Sequence, residues 1–502
     1  MPAITQPQID FLDQPMRLYI DGAFVETAEG LATVNPATGE TLATAPLATE
    51  REVDLAVGAA SRAFETWRDT PPTQRAKLLW KLADLLESNK DEFAEIEVLD
   101  NGKPLWEAQL VDVALTIELL RYYAGWATKI TGDVLPNSIP GMLTISKREP
   151  VGVVAAITPW NFPILEVAYK LGPALAAGCT VVVKPSELAP LSTLRLMDLI
   201  DEAGFPPGVV NVVIGGPEVG GALVRHPGVS KIAFTGQTAT GKEIMRASID
   251  GLKRVTLELG GKSPNIVFAD ADLDAAASGA FGGIFFNQGQ ACVAGSRLFV
   301  EEPVAEEIVA RVSEQAKGIR LGHGLDPQTQ MGPLISANHR KRVLCYIGSA
   351  TEQGAHVTVG GEEASVEGLE NGFFLQPTVI SGVRNDMKVA QEEIFGPVLS
   401  VIPWKDEGEL LALANDVDYG LAAGIWTSDT SKALRVADRL EVGTVWINTY
   451  GMFDVAVPFG GRKHSGFGRE LGAEALEPYL QSKSVWVDLT SAVPQAGQGI
   501  SR

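Results

Sequence analysis

Val151-Gly152-Val153-Val154-Ala155-Ala156-Ile157 is the apolar run from which the fold can be predicted. Similar runs follow at 180–183, 209–214, 231–234 and 255–259, and segments of helical length separate them. Continuous apolar strands that alternate with helices are typical of a parallel sheet covered on both faces. The sequence therefore predicts a doubly wound α/β domain of the dinucleotide-binding type, although no G-x-G-x-x-G motif follows its first strand.

The residues before this run predict smaller elements. Short alternating runs between residues 18 and 45 indicate edge strands and tight turns. Apolar residues at helical spacing predict helices at 50–67, from residue 72 onward, and at 111–129. Residues 130–148 predict a hairpin, and no neighbouring segment supplies a partner for its apolar side chains.

The composition limits the class of protein. The chain has 502 residues, is 45% hydrophobic and carries a net charge of −21, so two or three domains with a sizeable core are expected. This acidic balance argues against a nucleic-acid partner. No apolar run reaches the roughly 18 residues of a membrane span, and Met1-Pro2-Ala3-Ile4-Thr5-Gln6 lacks the features of a signal peptide. We therefore expect a cytoplasmic protein without a membrane partner.

The cysteines and histidines point away from disulfides and metals. Cys179, Cys292 and Cys345 are an odd number, too few for a disulfide framework, which fits a reducing compartment. The five histidines show no metal-ligand spacing with these cysteines. The sequence predicts no structural or catalytic metal.

Three segments carry residues suited to catalysis. Cys292 lies among small and amide-bearing residues, so a substrate could reach its sulfur, although cysteine is more often a small buried hydrophobe. Glu258 ends an apolar run, where it is either a desolvated base in a cleft or a solvent-facing strand residue. Asn161, between bulky Trp160 and Phe162, is placed to be a fixed hydrogen-bond donor.

Three further segments could hold a ligand. The loop at 234–242 joins a strand to a helix, so it is either a diphosphate site at a helix N-terminus or an ordinary turn. Lys184 and Glu187 follow another strand and could be a surface ion pair. The segment at 391–398 contains Glu392 and Glu393, which from sequence alone could be a solvated acidic pair.

In this order, the catalytic segments resemble the signatures of the NAD(P)-dependent aldehyde dehydrogenase superfamily. The matching residues are Pro159-Trp160-Asn161-Phe162-Pro163, Glu258-Leu259-Gly260-Gly261-Lys262 and Phe285-Phe286-Asn287-Gln288-Gly289-Gln290-Ala291-Cys292, and the similarity covers about residues 19–487. The resemblance implies a Rossmann-like NAD-binding domain at 1–126 and 149–260, and an α/β catalytic domain at 261–459. Residues 127–148 and 479–502 would form a small β oligomerisation element and a flexible tail. This element would pair the hairpin with residues 482–488 of the same or a neighbouring subunit, in a homodimer or homotetramer.

The resemblance also assigns catalytic roles. Cys292 would be the nucleophile that adds to the aldehyde carbonyl, and Asn161 with the Cys292 backbone N–H would stabilise the resulting oxyanion. Glu258 would activate water to hydrolyse the thioester, which favours acid formation over acyl transfer to coenzyme A. Lys170 and Glu470 would relay the proton outward.

The cofactor implied by the resemblance is NAD. Lys184 and Glu187 would bind the adenine ribose, where a carboxylate repels a 2′-phosphate, while the lysine leaves NADP usable as well. Glu393 would bind the nicotinamide ribose, and Gln237 stands where the family usually has serine. The full set of predicted cofactor residues is Ile157, Thr158, Pro159, Trp160, Lys184, Glu187, Gly216, Gly236, Gln237, Thr240, Leu259, Glu393 and Phe395.

The substrate tunnel implied by the resemblance is largely aromatic. Its residues would be Leu115, Phe162, Tyr169, Phe286, Ala291, Val293, Phe453 and Phe459. These side chains suit an arylalkyl aldehyde, although they could simply be core aromatics. Segments at 18–22, 121–126 and 252–258 are similar to those of bacterial phenylacetaldehyde dehydrogenases, so phenylacetaldehyde is the expected substrate. The alternatives are aliphatic, retinal-like or betaine aldehydes, or a non-catalytic binding or structural member of the fold.

Overall fold

The computed structural model of the chain describes residues 9–490. Two expectations concern residues outside this range: the absence of a signal peptide at residues 1–6, and the flexible tail expected from Thr490 onward, all of which except Thr490 lies beyond it.

An eight-stranded sheet forms around the run that opens the predicted α/β region. Its strands, in spatial order, are Ala23–Val25, Leu18–Ile20, Val210–Val212, Thr180–Lys184, Val153–Ile157, Lys231–Thr235, Arg254–Glu258 and Gly466–Phe467. The five strands between residues 153 and 258 are all parallel and follow the order 3-2-1-4-5. This is the doubly wound order, which reverses between Val153–Ile157 and Lys231–Thr235 and opens a ligand crevice there.

Helices cover both faces of this sheet, which buries every residue of Val153–Ile157, Thr180–Lys184 and Lys231–Thr235. The α-helices in the first half of the chain are Glu50–Trp67, Pro72–Ser88, Lys90–Asn101, Leu105–Glu107, Ala114–Trp126, Pro163–Ala177, Leu191–Ala203, Pro217–Arg225 and Thr238–Ser248. The predicted helix at 111–129 is wrong in its bounds. A π-helical segment, Ala108–Val113, precedes an α-helix that ends at Trp126.

A second sheet of seven strands lies between residues 264 and 447. Its spatial order is His356–Val359, Thr378–Ser381, Val398–Trp404, Arg297–Glu301, Pro264–Val267, Ala422–Trp426 and Thr444–Ile447, and only the first strand is antiparallel to its neighbour. Its α-helices are Leu273–Phe285, Ala305–Lys317, Ala337–Glu352, Lys388–Gln391, Glu407–Asn415 and Thr430–Ala437, and 3₁₀ turns occur at Phe286–Gly289, Glu302–Val304 and Glu474–Tyr479.

A third, three-stranded sheet contains the predicted hairpin, Val134–Leu135 with Met142–Pro150. Leu480–Asp488 of the same chain pairs antiparallel with Met142–Pro150 along its whole length. The sequence left open whether the hairpin pairs with the C-terminal strand of its own chain or of a neighbouring subunit, and the structure pairs them within one chain. Two small ribbons complete the strands: Glu29–Val34 with Thr41–Leu47, and Tyr419–Gly420 with Arg462–Lys463.

The end of the chain returns to the first sheet. Gly466–Phe467 pairs antiparallel with the edge strand Arg254–Glu258, which places residues 460–478 beside the first sheet. The predicted domain boundaries leave these residues unassigned, and the boundaries stay a prediction. Among the helices of residues 9–490, none combines the length and the apolar composition needed to cross a lipid bilayer.

Candidate active site

The crevice where the strand order reverses is a cavity of about 750 Å³. It is lined by the residues that end four parallel strands: Ile157, Lys184, Thr235 and Glu258. Ligands of doubly wound sheets bind at this position, outside the carboxyl ends of the strands. Every residue predicted to bind cofactor lines the cavity, as do Cys292, Glu258 and Asn161.

At one end of the cavity, a strand end presents paired charges. Lys184 is buried, and its Nζ lies 3.7 Å from Oε2 of Glu187. Burial lowers the pKa of Lys184 from its ordinary value, against the pull of Glu187. The pair is therefore no ordinary surface ion pair, because its cation is enclosed by the cavity wall.

The two glycines after Glu258 let two other segments approach it. A Cβ on Gly260 would lie 2.2 Å from Oε2 of Glu393, and one on Gly261 would lie 2.4 Å from the carbonyl oxygen of Cys292. The Gly261 N–H donates to Oε1 of Glu393 at 3.0 Å. Burial raises the pKa of Glu393 to about 7. Glu393 therefore faces the cavity, whereas Glu392 is exposed, so the two do not form a solvated pair.

The loop before Cys292 has an unusual backbone. Asn287, Gln288 and Gly289 are successive residues with φ of 47°, 57° and 68°, a left-handed turn that L-residues rarely form. No residue with a side chain fits at Gly289, because a Cβ there would lie 2.2 Å from the carbonyl oxygen of Gly396. This turn carries Cys292 to the cavity wall, where the thiol is partly buried.

The other two cysteines lie elsewhere. Cys179 is buried, as expected of a packing residue. From its place on a helix predicted at 340–347, Cys345 is also expected to be a packing residue, but it is exposed, so this expectation is wrong. Helix Ala337–Glu352 is amphipathic, and Cys345 falls on its outer side, whereas Val343, Tyr346 and Ile347 are buried.

Cys292 is surrounded by carboxylates. Burial raises the pKa of its thiol well above the ordinary value, and the charges of Glu166, Glu393 and Glu258 add to the rise. A thiolate is the nucleophilic form of cysteine. The site without ligands therefore holds Cys292 mainly as the thiol at neutral pH.

Glu258 has the environment of a general base. Its carboxyl group is buried, and neither oxygen has a hydrogen-bond partner among residues 9–490. Burial, with the nearby charge of Glu470, raises its pKa well above the ordinary value. The carboxyl group is therefore desolvated in a cleft and is not a solvent-facing strand residue, and its role as a base stays a prediction.

Lys170 lies behind the cavity wall and connects three side chains. Its Nζ is 2.5 Å from Oε1 of Glu470, 3.0 Å from Oε2 of Glu166 and 2.5 Å from Oγ1 of Thr235. Burial lowers the pKa of Lys170, but the two carboxylates outweigh burial and raise it above its usual range. Burial raises the pKa of Glu470 to about 7. Lys170 and Glu470 are thus brought together as the resemblance implies, and Glu166 is an additional member.

The Asn161 amide is fixed by residues 286–292, the loop that ends at the predicted nucleophile and is called the nucleophile loop below. Its Nδ2 donates to the carbonyl oxygen of Gln290 at 3.1 Å, and no second acceptor for this amide lies among residues 9–490. The side chain is buried and lines the same cavity as Cys292. It is therefore held in one orientation as a donor.

The predicted tunnel residues form two aromatic groups, and within the described part of the chain none of them lines the 750 Å³ cavity. In one group, Phe162 stacks on Phe286 with ring centroids 6.1 Å apart, and Trp106 is 6.3 Å from Phe286. In the other, Phe453 meets Phe459 at 5.3 Å, and Trp446 is 5.8 Å from Phe453. Leu115, Phe162 and Phe453 pack with Cys292 against a cluster that includes Tyr169, Val293 and Phe459, while Ala291 is buried in the nucleophile loop.

A match to the model of the aldehyde dehydrogenase family spans residues 24–485. The chain belongs to this family. Among its relatives is a phenylacetaldehyde dehydrogenase of Pseudomonas fluorescens, 46% identical over 95% of this chain and 97% of that protein. A betaine aldehyde dehydrogenase of Bacillus subtilis is 44% identical over 93% of this chain and 96% of that protein. The solved NAD+ complex of an aldehyde dehydrogenase from Bacillus cereus matches with a TM-score of 0.93 and 49% identity, covering 95% of this chain and 98% of that one.

Several residues of this aldehyde dehydrogenase site were missed by the sequence reasoning. Glu166 precedes Lys170 by four residues, a spacing that places both on one face of a helix and predicts their ion pair from sequence. His339 and Arg342 reach the cavity from helix Ala337–Glu352, and His339 Nε2 lies 2.7 Å from the carbonyl oxygen of Phe395. No motif marks that helix. Within residues 9–490, no group of three or more His, Cys, Asp or Glu side chains is arranged to hold a metal ion.

Proposed function

We propose that this chain oxidises an aldehyde to the carboxylic acid with NAD+, and that phenylacetaldehyde is its preferred substrate. The observation that carries the proposal is the meeting of Cys292, Glu258 and Asn161 at one cavity that also contains the predicted cofactor residues. A thiol, a desolvated carboxyl group and a fixed amide donor are the three groups needed to form and hydrolyse a thioester. The same meeting speaks against a non-catalytic member of the fold.

The cavity suits a dinucleotide. Lys184 and Glu187 offer charged partners to ribose hydroxyls at one end, and Glu393 offers a carboxylate near Cys292 at the other. The carboxylate of Glu187 would repel a 2′-phosphate, which favours NAD, while Lys184 leaves NADP usable. The aldehyde dehydrogenase of Bacillus cereus was solved as an NAD+ complex, which supports the same cofactor here. When bound, NAD+ supplies the hydride acceptor.

The residues of the chain account for the remaining chemistry. Cys292 first loses its thiol proton to solvent. The thiolate sulfur then forms a bond to the carbonyl carbon, and the π electrons move to oxygen, where the Asn161 side-chain N–H and the Cys292 backbone N–H stabilise the charge. Loss of one such donor typically raises the barrier by about 2.7 to 4 kcal/mol. Once the carbon has lost its hydride, oxygen re-forms the double bond and a thioester remains on Cys292. Glu258 accepts a proton from water, the water oxygen bonds to the carbon, and the C–S bond breaks to release acid and thiolate.

The aromatic groups support an aromatic substrate over a cationic one. Phe162, Phe286, Phe453 and Phe459 offer ring edges and faces for offset contacts with a phenyl group. The ammonium of Lys103 lies 4.3 Å from the ring centroid of Phe162 and so occupies a cation-binding face of that ring. A quaternary ammonium substrate such as betaine aldehyde would meet a like charge there.

A panel of aldehydes tests the proposal. With NAD+ and purified protein, we expect kcat/KM for phenylacetaldehyde to exceed the values for propanal and betaine aldehyde by at least about tenfold, because two ring contacts of about 0.5 to 1.5 kcal/mol each are lost without the phenyl group. The Cys292→Ala variant is the control and should form no NADH. A preference for propanal or betaine aldehyde would overturn the substrate assignment. Wild-type protein that forms no NADH with any aldehyde would overturn the activity.

We further propose a cytoplasmic homodimer or homotetramer assembled through the three-stranded sheet. Its support is the apolar surface that this sheet exposes, including Val134, Trp486 and Val487. The cytoplasm is supported by three cysteines without a disulfide among the described residues, one of which must stay reduced to act as a nucleophile.

A further inference from the structure

A fully buried pair of charges contacts the backbone of Asn161 and does not line the cavity. Lys103 and Asp112 are both inaccessible to solvent, and Lys103 Nζ lies 2.7 Å from Oδ1 of Asp112. An ion pair withdrawn from water loses much of its solvation, so its presence in a core calls for a physical reason. The ammonium makes a second contact that supplies one: it donates to the backbone carbonyl oxygen of Asn161 at 2.9 Å.

The whole segment that carries Asn161 is held by residues 97–103. The Asn101 side chain donates to the carbonyl oxygen of Trp160 at 2.8 Å, and Glu97 accepts the backbone N–H of Ile164 at 3.1 Å. Lys103 fixes the peptide between these two contacts. Hydrogen bonds at residues 160, 161 and 164 thus hold the loop against residues 97–103.

Asp112 reaches Lys103 from an irregular helix. It lies in the π-helical segment Ala108–Val113, which inserts an extra residue into a helical turn. Such insertions are rare and occur frequently at functional sites, because they redirect side chains. Here the insertion accompanies the buried contact between Asp112 and the ammonium.

The Asn161 carbonyl receives a second donor from the nucleophile loop. Asn287 Nδ2 donates to it at 3.0 Å and to the carbonyl oxygen of Gln290 at 3.1 Å. Gln290 in turn accepts the Asn161 side-chain amide at 3.1 Å. Lys103 and Asn287 therefore fix the peptide from which the Asn161 amide projects, relative to the loop that carries Cys292.

We propose that Lys103, paired with Asp112, is a positioning residue that sets the Asn161 amide at the oxyanion position, with Asn287 as the second support. Lys103 contacts neither the cavity nor the nucleophile. Apart from its contact with the Phe162 ring, its effect on the oxyanion passes through the Asn161 peptide. The inference rests on the proposed function, because it concerns the step in which negative charge develops on the aldehyde oxygen.

The Lys103→Met variant tests this, since methionine retains much of the apolar length without the charge. We expect the pre-steady-state burst of NADH from phenylacetaldehyde to slow by about 10-fold to 100-fold, as displaced catalytic groups do. The Kd for NAD and the rate of Cys292 alkylation by iodoacetamide should change by less than about threefold, because neither depends on an oxyanion. The Asp100→Asn variant is the matched control. Asp100 is a buried acid on helix Lys90–Asn101, three residues before Lys103, and it accepts the Leu191 N–H instead, so its burst should equal that of the wild type.

A double-mutant cycle separates positioning from general structural support. In an Asn161→Ala background the carbonyl that Lys103 binds is still present, but no amide remains to be positioned. We expect Lys103→Met to slow the burst there by less than about threefold. An equal loss in both backgrounds would overturn the inference.

The Asn287→Gly variant keeps the test decisive if Lys103→Met does not fold. Glycine tolerates the φ of 47° at this position and removes the second donor to the Asn161 carbonyl. We expect the same slowing of the burst and the same non-additivity with Asn161→Ala. If this variant and Lys103→Met both show the wild-type burst, the inference is wrong and the proposed function is unaffected. A wild-type protein that forms no NADH from any aldehyde would overturn the proposed function, and this inference with it.

Discussion

Glu258 is the residue whose surroundings restrict its role most narrowly. A buried carboxyl group without a hydrogen-bond partner among residues 9–490 is unfavourable for stability, and such groups are kept mainly where chemistry needs them. Gly460 enforces the close fit, because a Cβ there would lie 2.7 Å from Oε1 of Glu258. The carboxyl group also lines the cavity, where its proposed role requires contact with water.

The Glu258→Gln variant should separate the two halves of the reaction. Cys292 and Asn161 are unchanged, so we expect thioester formation and about one NADH per active subunit. Hydrolysis should then slow by about 10²-fold to 10⁴-fold, the usual contribution of a general base. Stopped-flow absorbance of NADH and the mass of the acylated protein would measure both. Steady turnover at the wild-type rate would contradict the assignment of Glu258 as the base.

Glu166 should control how readily Cys292 ionises. It is the foremost of the carboxylates that raise the pKa of the thiol, after burial itself. In Glu166→Gln that negative charge is gone, so the thiol pKa should fall and the thiolate should form at lower pH. We expect the pH profile of Cys292 alkylation by iodoacetamide to shift toward acid, with faster reaction at neutral pH.

Glu243 supplies the control for this shift. It lines the same cavity but is exposed, so water screens its charge. Glu243→Gln should leave the alkylation profile in place. A Glu166→Gln profile that stays in place, or moves toward alkaline pH, would show that Glu166 does not act on the thiol through its charge.

At the scale of single elements, the sequence predicted the parallel strands well. The predicted run at 180–183 is the strand Thr180–Lys184, and that at 231–234 is Lys231–Thr235. Strands buried on both faces read as continuous apolar runs, and their ends are set by local polar residues and glycine. The helix predicted at roughly 50–67 is Glu50–Trp67, and its start is fixed by a capping box of Thr49 and Glu52 that depends only on neighbours in sequence.

Elements shaped by distant contacts could not be predicted in this way. The π-helical segment Ala108–Val113 is apolar at spacings that also suit an α-helix, and its irregularity accompanies the buried contact of Asp112 with Lys103. The exposure of Cys345 depends on which side of helix Ala337–Glu352 meets the second sheet. Neither the partner nor the packed side is encoded nearby in sequence.

The candidate site shows the same difference between features set by local sequence and features set by distant contacts. Cys292, Glu258 and Asn161 could be found because each lies in a short motif with a recognisable order along the chain. The orientation of the Asn161 amide could not be found, because it depends on the Gln290 carbonyl and on the distant Lys103. Roles that depend on residue type can be predicted from sequence. Roles that depend on hydrogen bonds between residues distant in sequence cannot.

At the scale of the whole molecule, the three-stranded sheet is where the proposed assembly would form. Leu135, Thr144 and Trp486 are cross-strand neighbours and share one face, while Val134 and Val487 belong to the other. Trp486 is 54% exposed and Val134 is 74% exposed. Both faces of a thin sheet therefore present large apolar side chains to solvent, a pattern that marks surfaces covered by another chain.

The variant Val134→Glu/Trp486→Glu should dissociate the assembly, because it places one carboxylate on each face of this sheet. Burying an unpaired charge in an apolar interface costs several kcal/mol, and the net charge of −21 on each chain adds repulsion. Sedimentation velocity should show the mass fall from that of a dimer or tetramer to that of one chain of 53.4 kDa. The Leu55→Glu variant adds a like charge at an exposed leucine on helix Glu50–Trp67 and should leave the mass unchanged. If the double variant keeps the wild-type mass, the contacts between subunits lie elsewhere, and the exposed apolar faces need another explanation.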